Sequence, residues 1–504
     1  STPLVITYSF VLPDISVSSD YAVYVGDWTD LYDPTENFKA AVEKVFDIYS
    51  SMFGITFIEV EETETVVGDI RFALFGDNGQ GYLGGSWSID WYYPLLPTSY
   101  GLCADLFGSL DLDIFMKQMP DDNWDEGTDA FLTLIHEIGH SLGIKHPFES
   151  AGADWPSLSD LGYEDTYGWL GYSTMHYNNY VGDDYFSGFL TSTEVIITGT
   201  EERHYPTTPM IFDYWAMQYI YNTTYDESSE TWTWDMNPIN EGDDDYVLEG
   251  PFFKTIADSK GNDTLDWSSQ DWNTEVNLDS SYFGSLSYFG EDFLTFTKTS
   301  DGSELAKTGW ILGLSKGTVI ENIIAGSGND TILLETEYLQ DGNLIPNIVR
   351  SGAGNDTITG ISYGDQIYGE SGDDSFTLYD SSFSIIDGGS GFDTADFLHY
   401  SQLENGLYST DLRTIFNDGS VVDVEKLIFK NSMQGPGQIL VSQQTFLDLN
   451  VNSLTITATW TPGYQQAIGL EGNFSFLGSF EEYYDIYVLV EGGQSYYLYV
   501  WWDH

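Results

Sequence analysis

Three of the chain's seven histidines fall within eleven positions, in the run His136-Glu137-Ile138-Gly139-His140-Ser141-Leu142-Gly143-Ile144-Lys145-His146-Pro147. His136 and His140 are four apart, so on a helix they project from one face. Two imidazoles placed that way hold one zinc ion, at about 2.1 Å each. Glu137 sits beside them and can act on a water as a base. Gly143 ends the helix in a left-handed turn and brings His146 round as a third ligand. Three protein ligands leave a coordination position for water, the mark of a catalytic rather than a structural zinc site. The competing reading is a set of ordinary histidines on a solvated helix face. A bare H-E-x-x-H arises by chance, but its extension through a Gly to a third His is far more specific.

The elements that must position these groups are legible around them. Phe131, Leu134, Ile135, Ile138 and Leu142 recur at i, i+3, i+4, i+7 and i+11, the buried stripe of one helix. Asp33-Pro34-Thr35-Glu36 predicts an earlier helix start, capped by Asp33 with Glu three residues on. Phe38, Val42, Val45, Tyr49 and Met52 follow at helical spacing, and Gly54 supplies the stop. Residues 55–60 and 70–75 read as strands. From about 226 to 435 the helical period fades and short strands alternate with Gly-Asp turns. Residues 436–504 hold alternating segments, such as Leu454 to Trp460, that read as further strands.

The turns repeat. Ala325 to Asp330, Ser351 to Asp356, Gly369 to Asp374 and Gly388 to Asp393 follow the pattern G-G-x-G-x-D-x-U-x, in which U is large and apolar. That pattern describes a roll of strands whose turns hold calcium. Gly326, Gly328, Asp330, Gly352, Gly354, Asp356, Gly369, Gly372, Asp374, Gly389, Gly391 and Asp393 are its candidate cation-site residues. Glycines permit the turns and bare their carbonyls, and aspartates add charged oxygens. Ile332, Ile358, Phe376 and Ala395 follow each last Asp by two, with Val349 and Ile367 on the same nine-residue period. The competing reading is plain Gly-Asn-Asp turns without metal.

Composition narrows the class. At about 150 residues per domain, 504 residues suggest two to four domains. An apolar fraction of 41% excludes a disordered chain, and 51 glycines with 16% aromatics fit a β-rich one. Eighty acidic residues against 15 basic ones, a net charge of −65, argue against nucleic acid and anionic membrane surfaces as partners. Cys103 is the only cysteine, so a secreted protein of this size needs another staple. No run of 18 apolar residues predicts a membrane span. The start at Ser1, without a basic apolar leader, reads as a processed product.

A second short run, Ser173-Thr174-Met175-His176-Tyr177, follows His146. Together with His136 to Pro147 it resembles the metzincin metalloproteases, specifically the serralysins. The resemblance implies that Met175 is the Met-turn residue beneath the zinc. It makes Tyr177 a switch residue that binds the metal or stabilises the transition state. His176 replaces a small residue at that point; it reads either as a fourth imidazole near the site or as a surface side chain, and the surface is the favoured expectation. Ile6 to Phe10 resembles the family's first strand, and Gly81-Tyr82-Leu83-Gly84 the edge that pairs with extended substrate. Asp213, Ala216 and Gln218 fit the helix after the Met-turn. Gly317 to Asn322, followed by Gly326 to Asp330, is similar to its calcium segment and adds Glu321. An earlier turn, Asp258 to Asp263, adds Asp258, Lys260 and Asp263, with Lys260 where the family has Gly.

The implied fold is an α+β metzincin catalytic domain followed by an all-β domain, a parallel β-roll with additional β-strands. The expected divisions are 1–225 for catalysis, 226–435 for the roll and 436–504 for a β-rich extension. The implied function is a secreted, extracellular bacterial zinc endopeptidase, with one catalytic zinc and several structural calcium ions. Its partners would be protein or peptide substrates and a proteinaceous inhibitor, and the protein itself a monomer. The family's export signal ends in an acidic residue and a few apolar ones. This chain ends Trp501-Trp502-Asp503-His504, in the reverse order. The rival class is a calcium-binding surface or adhesion protein with an inactive protease domain, against which the intact Glu137 argues.

Overall fold

The structure is a computed structural model. It describes residues 4–12, 31–63, 65–75, 84–87, 112–119, 121–148, 157–161, 167–177, 195–198, 204–221, 223–226, 231–234, 242–281, 284–298, 304–334, 345–379, 383–396, 410–411, 420–424 and 426–430, together with strands at 439–440, 455–459, 468–470, 474–480, 484–491 and 494–501.

In the N-terminal region, strands β1 (Val5–Phe10), β2 (Leu31–Tyr32), β3 (Thr56–Glu59), β4 (Ile70–Phe75), β5 (Gly84–Trp87) and β6 (Leu112–Lys117) form one sheet. Its order is β3-β1-β4-β6-β5, with β2 paired to β4. The first four strands of that order run parallel, and β5 closes the sheet as an antiparallel edge. The sheet packs on helices α1 (Glu36–Phe53) and α2 (Asp129–Ser141); α4 (Ile211–Tyr221) packs on α1 and joins the same core, with α3 (Leu158–Leu161) a single turn between α2 and α4.

Helix α1 begins two residues closer to its apolar stripe than Asp33 suggests. Its cap is Thr35, whose hydroxyl oxygen accepts from the Phe38 N–H at 3.1 Å. The same hydroxyl donates to Asp122, which fixes it in place. Gly54 ends α1 at φ 67°, the left-handed stop its position predicts. Phe38, Val42, Val45 and Tyr49 are fully buried against Phe72, Phe131 and Leu134.

The C-terminal region is built on two large sheets. One is seven-stranded, and its parallel strands start at 245, 264, 322, 348, 366, 385 and 420. The other carries parallel strands starting at 274, 330, 357, 375, 394, 426 and 455. From Asn322 to Asp396 successive strands of the chain alternate between the two sheets. The residues on the nine-residue period face each other in one core. Ile332, Val349, Ile358, Ile367, Phe376 and Ala395 are all at 0% exposure. Each large side chain buried this fully contributes about 1.5–3 kcal/mol. Backbone pairing crosses residue 225, because Val195–Thr198 pairs with the strand Ser285–Lys298. It also runs past residue 435 into Thr455–Thr459.

The two regions meet in a small apolar cluster. Leu132, Trp169, Leu170, Met210 and Ile211 pack there on Phe253, Leu286 and Ile311.

Candidate active site and acidic turns

Helix α2 carries the histidine motif. Thr128 caps it, accepting from the Phe131 N–H at 3.2 Å, and Phe131, Leu134, Ile135, Ile138 and Leu142 are buried. Gly143 follows at φ 95°, so the chain leaves the helix in the left-handed region. His146 thereby returns to its first two partners. His146 Nε2 lies 3.1 Å from His136 Nε2 and 3.0 Å from His140 Nε2.

The other ring nitrogens explain why these three converge. His136 Nδ1 donates to the Thr174 carbonyl and His140 Nδ1 to the Ile144 carbonyl, both at 2.8 Å. With the proton on Nδ1, both Nε2 atoms present lone pairs to His146. Lone pairs converging in a buried place repel one another unless a cation lies among them. The trio therefore fits zinc, with the carbonyls as the outer partners that fix ring orientation. Burial and the neighbouring His140 hold His136 well below the ordinary imidazole range. Burial, with His146 beside it, takes His140 down to about 4. Both rings are thus neutral, the form that ligates metal.

Glu137 follows His136 on α2 and is 7% exposed. Tyr177, 37% exposed, brings its hydroxyl to 2.7 Å from His146 Nε2. Met175 is fully buried below α2, and its thioether sits where a side chain at Gly139 would have to go. His176, expected at the surface, is only 4% exposed, its ring set edge-on against Phe148. The surface reading failed because the turn points Tyr177, not His176, outward. Of the expected substrate edge, Gly81, Tyr82 and Leu83 lie outside the described residues. Gly84 opens β5, the sheet's edge strand, which runs beside α2.

The sequence reading gave Asp213 a place but no task. It is 1% exposed on α4, and its carboxylate accepts from Ser173 Oγ, Thr174 N, Thr174 Oγ1 and Met210 N at 2.5–2.9 Å. Burial raises its pKa against those bonds. Asp213 thus holds Thr174, whose carbonyl orients His136. A glycine inside a strongly periodic helix was the one local hint of close packing here, at Gly139.

The acidic turns of the C-terminal region stack as rungs. Asp330 N–H donates to Asp356, Asp356 to Asp374 and Asp374 to Asp393, each to Oδ1 at 2.8 Å. A parallel rail runs from Asn355 to Asn329 and from Asn329 to Asn273, both at 2.6 Å. The rungs are so close that a Cβ on Gly326, Gly328, Gly352, Gly354, Gly372, Gly389 or Gly391 would overlap a carbonyl of the neighbouring turn. A Cβ on Gly369 would meet Asp374 Oδ2.

The second carboxylate oxygens of Asp263, Asp356 and Asp374 are buried without a hydrogen-bond partner. Buried acceptors of that kind fit a hard cation. Burial first, with neighbouring carboxylates adding to it, lifts Asp374 to about 7 and Asp263 to about 6. Asp330 rises to about 7 for the same reasons, and burial alone takes Asp356 to about 6. Asp258, Asp263 and Asp244 bring carboxylate oxygens within 4.8 Å of one another, with Glu321 accepting the Asp263 N–H at 2.8 Å. Asp244 was not anticipated, although it ends a Gly242-Asp243-Asp244 run 19 positions before Asp263 and its N–H donates to Asp263 Oδ1 at 2.8 Å, the same bond as in the later rungs. Lys260 is exposed at that turn, and its N–H faces Asp258 at 3.4 Å.

Comparison with known proteins gives the same picture for the N-terminal region. The matrixin family model matches residues 22–154. Metallopeptidase AprA of Pseudomonas marginalis is 32% identical over 40% of this chain and 36% of its own length. Metalloprotease AprA of Pseudomonas entomophila is 31% identical over 43% of this chain and 38% of its own. Serralysin of Proteus mirabilis is 28% identical over 60% of this chain and 54% of its own. The chain thus spans little more than a third of the first two relatives. In its ligand helix and its Met-containing turn, the N-terminal region of the chain is similar to the matrixin family and to the serralysins.

Proposed function

We propose that the chain is a zinc-dependent endopeptidase. The observation that carries this reading is the convergence of three imidazole nitrogens, His146 Nε2 within 3.1 Å of both His136 Nε2 and His140 Nε2, with those two rings tautomerically fixed by backbone carbonyls. His136, His140 and His146 would hold the metal. Bound zinc supplies Lewis acidity for a peptide carbonyl and acidifies a water towards pH 7.

The chain's own groups do the rest. Glu137 takes the proton of the attacking water and returns it to the leaving amine. The Tyr177 hydroxyl donates to the oxyanion that develops on the substrate carbonyl. Among the described residues β5 has a partner on one side only, and its outer edge would accept an extended peptide as an added strand, which orients the scissile bond. Asp213 and Thr174 keep His136 from turning as these charges appear.

The repeat region is the partner half of the reading. Its stacked turns would take several calcium ions, with the orphaned oxygens of Asp263, Asp356 and Asp374 among the ligands. Calcium supplies charge neutralisation there, and its abundance outside cells ties folding of a β-roll to a secreted, extracellular location. Among the described residues no helix is long and apolar enough to cross a membrane.

The test is casein hydrolysis by zinc-loaded protein in calcium, beside Glu137→Ala. Activity should fall by about 10²–10⁴-fold in the variant while one zinc per chain stays bound. Equal activity in both proteins would remove Glu137 from the mechanism. No activity in either, with the fold intact, would favour a calcium-dependent surface module.

A further inference from the structure

The zinc reading leaves one side chain unexplained. Phe148 follows the last histidine by two residues, is only partly exposed, and touches three groups of the site at once. Its ring lies flat on His146, with centroids 4.9 Å apart and planes 11° from parallel. It meets Tyr177 at 5.2 Å and 49°, and the buried His176 edge-on at 5.3 Å and 78°.

His146 differs from its two partners in how it is held. His136 and His140 sit on a helix and are each pinned by a carbonyl. His146 lies beyond the helix, after a left-handed glycine, and reaches the pair from the loop that follows. Its Nε2 must nevertheless stay within 3.1 Å of both partners and 2.7 Å of Tyr177. A face-stacked ring removes rotation about χ2, the freedom that would swing Nε2 away.

Resting on the zinc reading, we infer that Phe148 is a positioning residue for the third ligand and for Tyr177, with His176 as its buttress. The stack sets the plane of His146, and the tilted contact sets the arc through which the Tyr177 phenol moves. His176 fills the far side, so Phe148 cannot back away. The Met-turn and the third-ligand loop are thereby locked to each other by ring contacts, beside the 2.7 Å approach of the Tyr177 hydroxyl to His146 Nε2. A small residue at 176 would leave that side open.

The test uses the full chain in calcium and reads the metal rather than turnover. Zinc affinity is measured by competition with a chromophoric chelator. Copper(II) loading gives a phenolate-to-copper charge-transfer band that reports Tyr177 at the metal, and Tyr177→Phe must abolish it. Phe148→Ala should weaken zinc binding about tenfold, the lower end of what outer-shell changes cost. It should also lower the band by at least half. Phe148→Tyr, which keeps the stack, should restore both. His176→Ala should give a smaller loss in the same direction.

Phe148→Ala with wild-type affinity, wild-type band and wild-type melting would overturn the inference. Should Phe148→Ala not fold, Phe148→Leu keeps apolar bulk without a ring and is judged by the same two readings. A wild-type chain that binds neither ion at these histidines would instead overturn the zinc reading beneath it.

Discussion

His136 is oriented by a carbonyl 38 positions along the chain, which is held by a carboxylate 39 positions farther on. Asp356 is held by Asp374, 18 positions on, and Asp374 by Asp393, 19 positions on, through the same bond each time. The first arrangement is built once, from unlike parts brought together by the fold. The second is one part repeated, each turn a partner for the next. The difference predicts how each fails. Loss of one part should disable the histidine site as a unit. Loss of one rung should weaken the ladder locally, and calcium should repair it.

The largest expected effect tests the first half of that contrast. Asp213→Ala leaves four donors around a buried hole, at Ser173, Thr174 and Met210. Stranded buried donors cost about 1–3 kcal/mol each and are not additive, so a total loss of about 3–5 kcal/mol is expected. Urea unfolding measures it. Peptide hydrolysis should fall at least as steeply as in variants of the histidines' own partners, because Thr174 loses its anchor. A stable variant with full activity would mean that the Met-containing turn holds itself.

Gly354→Ala tests the second half. Gly354 sits at φ 126°, and its Cβ would overlap the Gly328 carbonyl. Strain and overlap together should cost about 2–3 kcal/mol. The loss should appear as a lower melting temperature and a weaker calcium response. Activity at saturating calcium should stay near wild type, and a large fall would show that the two regions fail together.

This contrast also decides what could be read from the sequence. The repeat region was legible because its partners recur at a fixed period. Ile332, Ile358, Ile367 and Phe376 could be placed in one core from spacing alone. The histidine helix was legible because its three ligands lie within one local motif. Asp213, Ile144 and Phe148 were not, because what each does depends on a neighbour supplied by the fold rather than by spacing. His176 shows the limit most plainly. Alternation within Met175-His176-Tyr177 cannot tell which of two adjacent rings a tight turn will bury. Asp244 escaped for a related reason. Gly242-Asp243-Asp244 does continue the Gly-Asp period, ending 19 positions before Asp263, but the Asp244 carboxylate joins those of Asp258 and Asp263 only when strands starting at 245 and 264 pair.

Acidity should separate the regions next. In chelator, without calcium, the folded state favours the protonated forms of Asp330, Asp356 and Asp374, raised to about 7, 6 and 7. Groups with a raised folded pKa stabilise below the unfolded value, near 4, and that stability is lost as pH rises through 6 to 7. The calcium-free repeat region should therefore melt several degrees lower at pH 8 than at pH 5, on the order of 2 kcal/mol. With calcium the order should reverse, because the ion binds the carboxylates. Calorimetry in chelator and in calcium checks both signs. A calcium-free melt that rises with pH would sink the orphaned-oxygen account.

A smaller effect is expected at the seam. The Thr255 N–H donates to Thr208 Oγ1 at 2.7 Å, and Thr207 N–H to the Phe253 carbonyl at 2.7 Å. Met210, two residues beyond Thr208, donates to Asp213 at 2.9 Å. A short path of bonds thus joins the strand leading to Asp258 with the anchor of the histidine site. Thr208→Val removes one link and should cost about 1 kcal/mol. If the regions are coupled here, the calcium dependence of hydrolysis should shift while activity at saturating calcium holds.

The smallest effect concerns two arginine–glutamate pairs of the same chemistry. In the N-terminal sheet Arg71 lies 2.7 Å from Glu62, at 3% and 0% side-chain exposure. On the repeat region Arg350 lies 3.3 Å from Glu370, at 50% and 44%. Water screens the second pair, so Arg350→Gln should lose no more than about 0.5 kcal/mol from the ion pair. Arg350 also lies over the Tyr368 ring, at 4.6 Å, a contact that Gln weakens by a comparable amount. Its effect should fade in high salt only by the ion-pair share. Glu370 itself holds φ 62° at a turn position where its neighbours use glycine. Its backbone strain is independent of Arg350, so Glu370→Gly in the Arg350→Gln background should still raise stability if that strain outweighs the added freedom of glycine in the unfolded chain. A loss larger than about 1 kcal/mol for Arg350→Gln would mean that rungs of the repeat region are coupled through their outer faces as well as through the stacked turns.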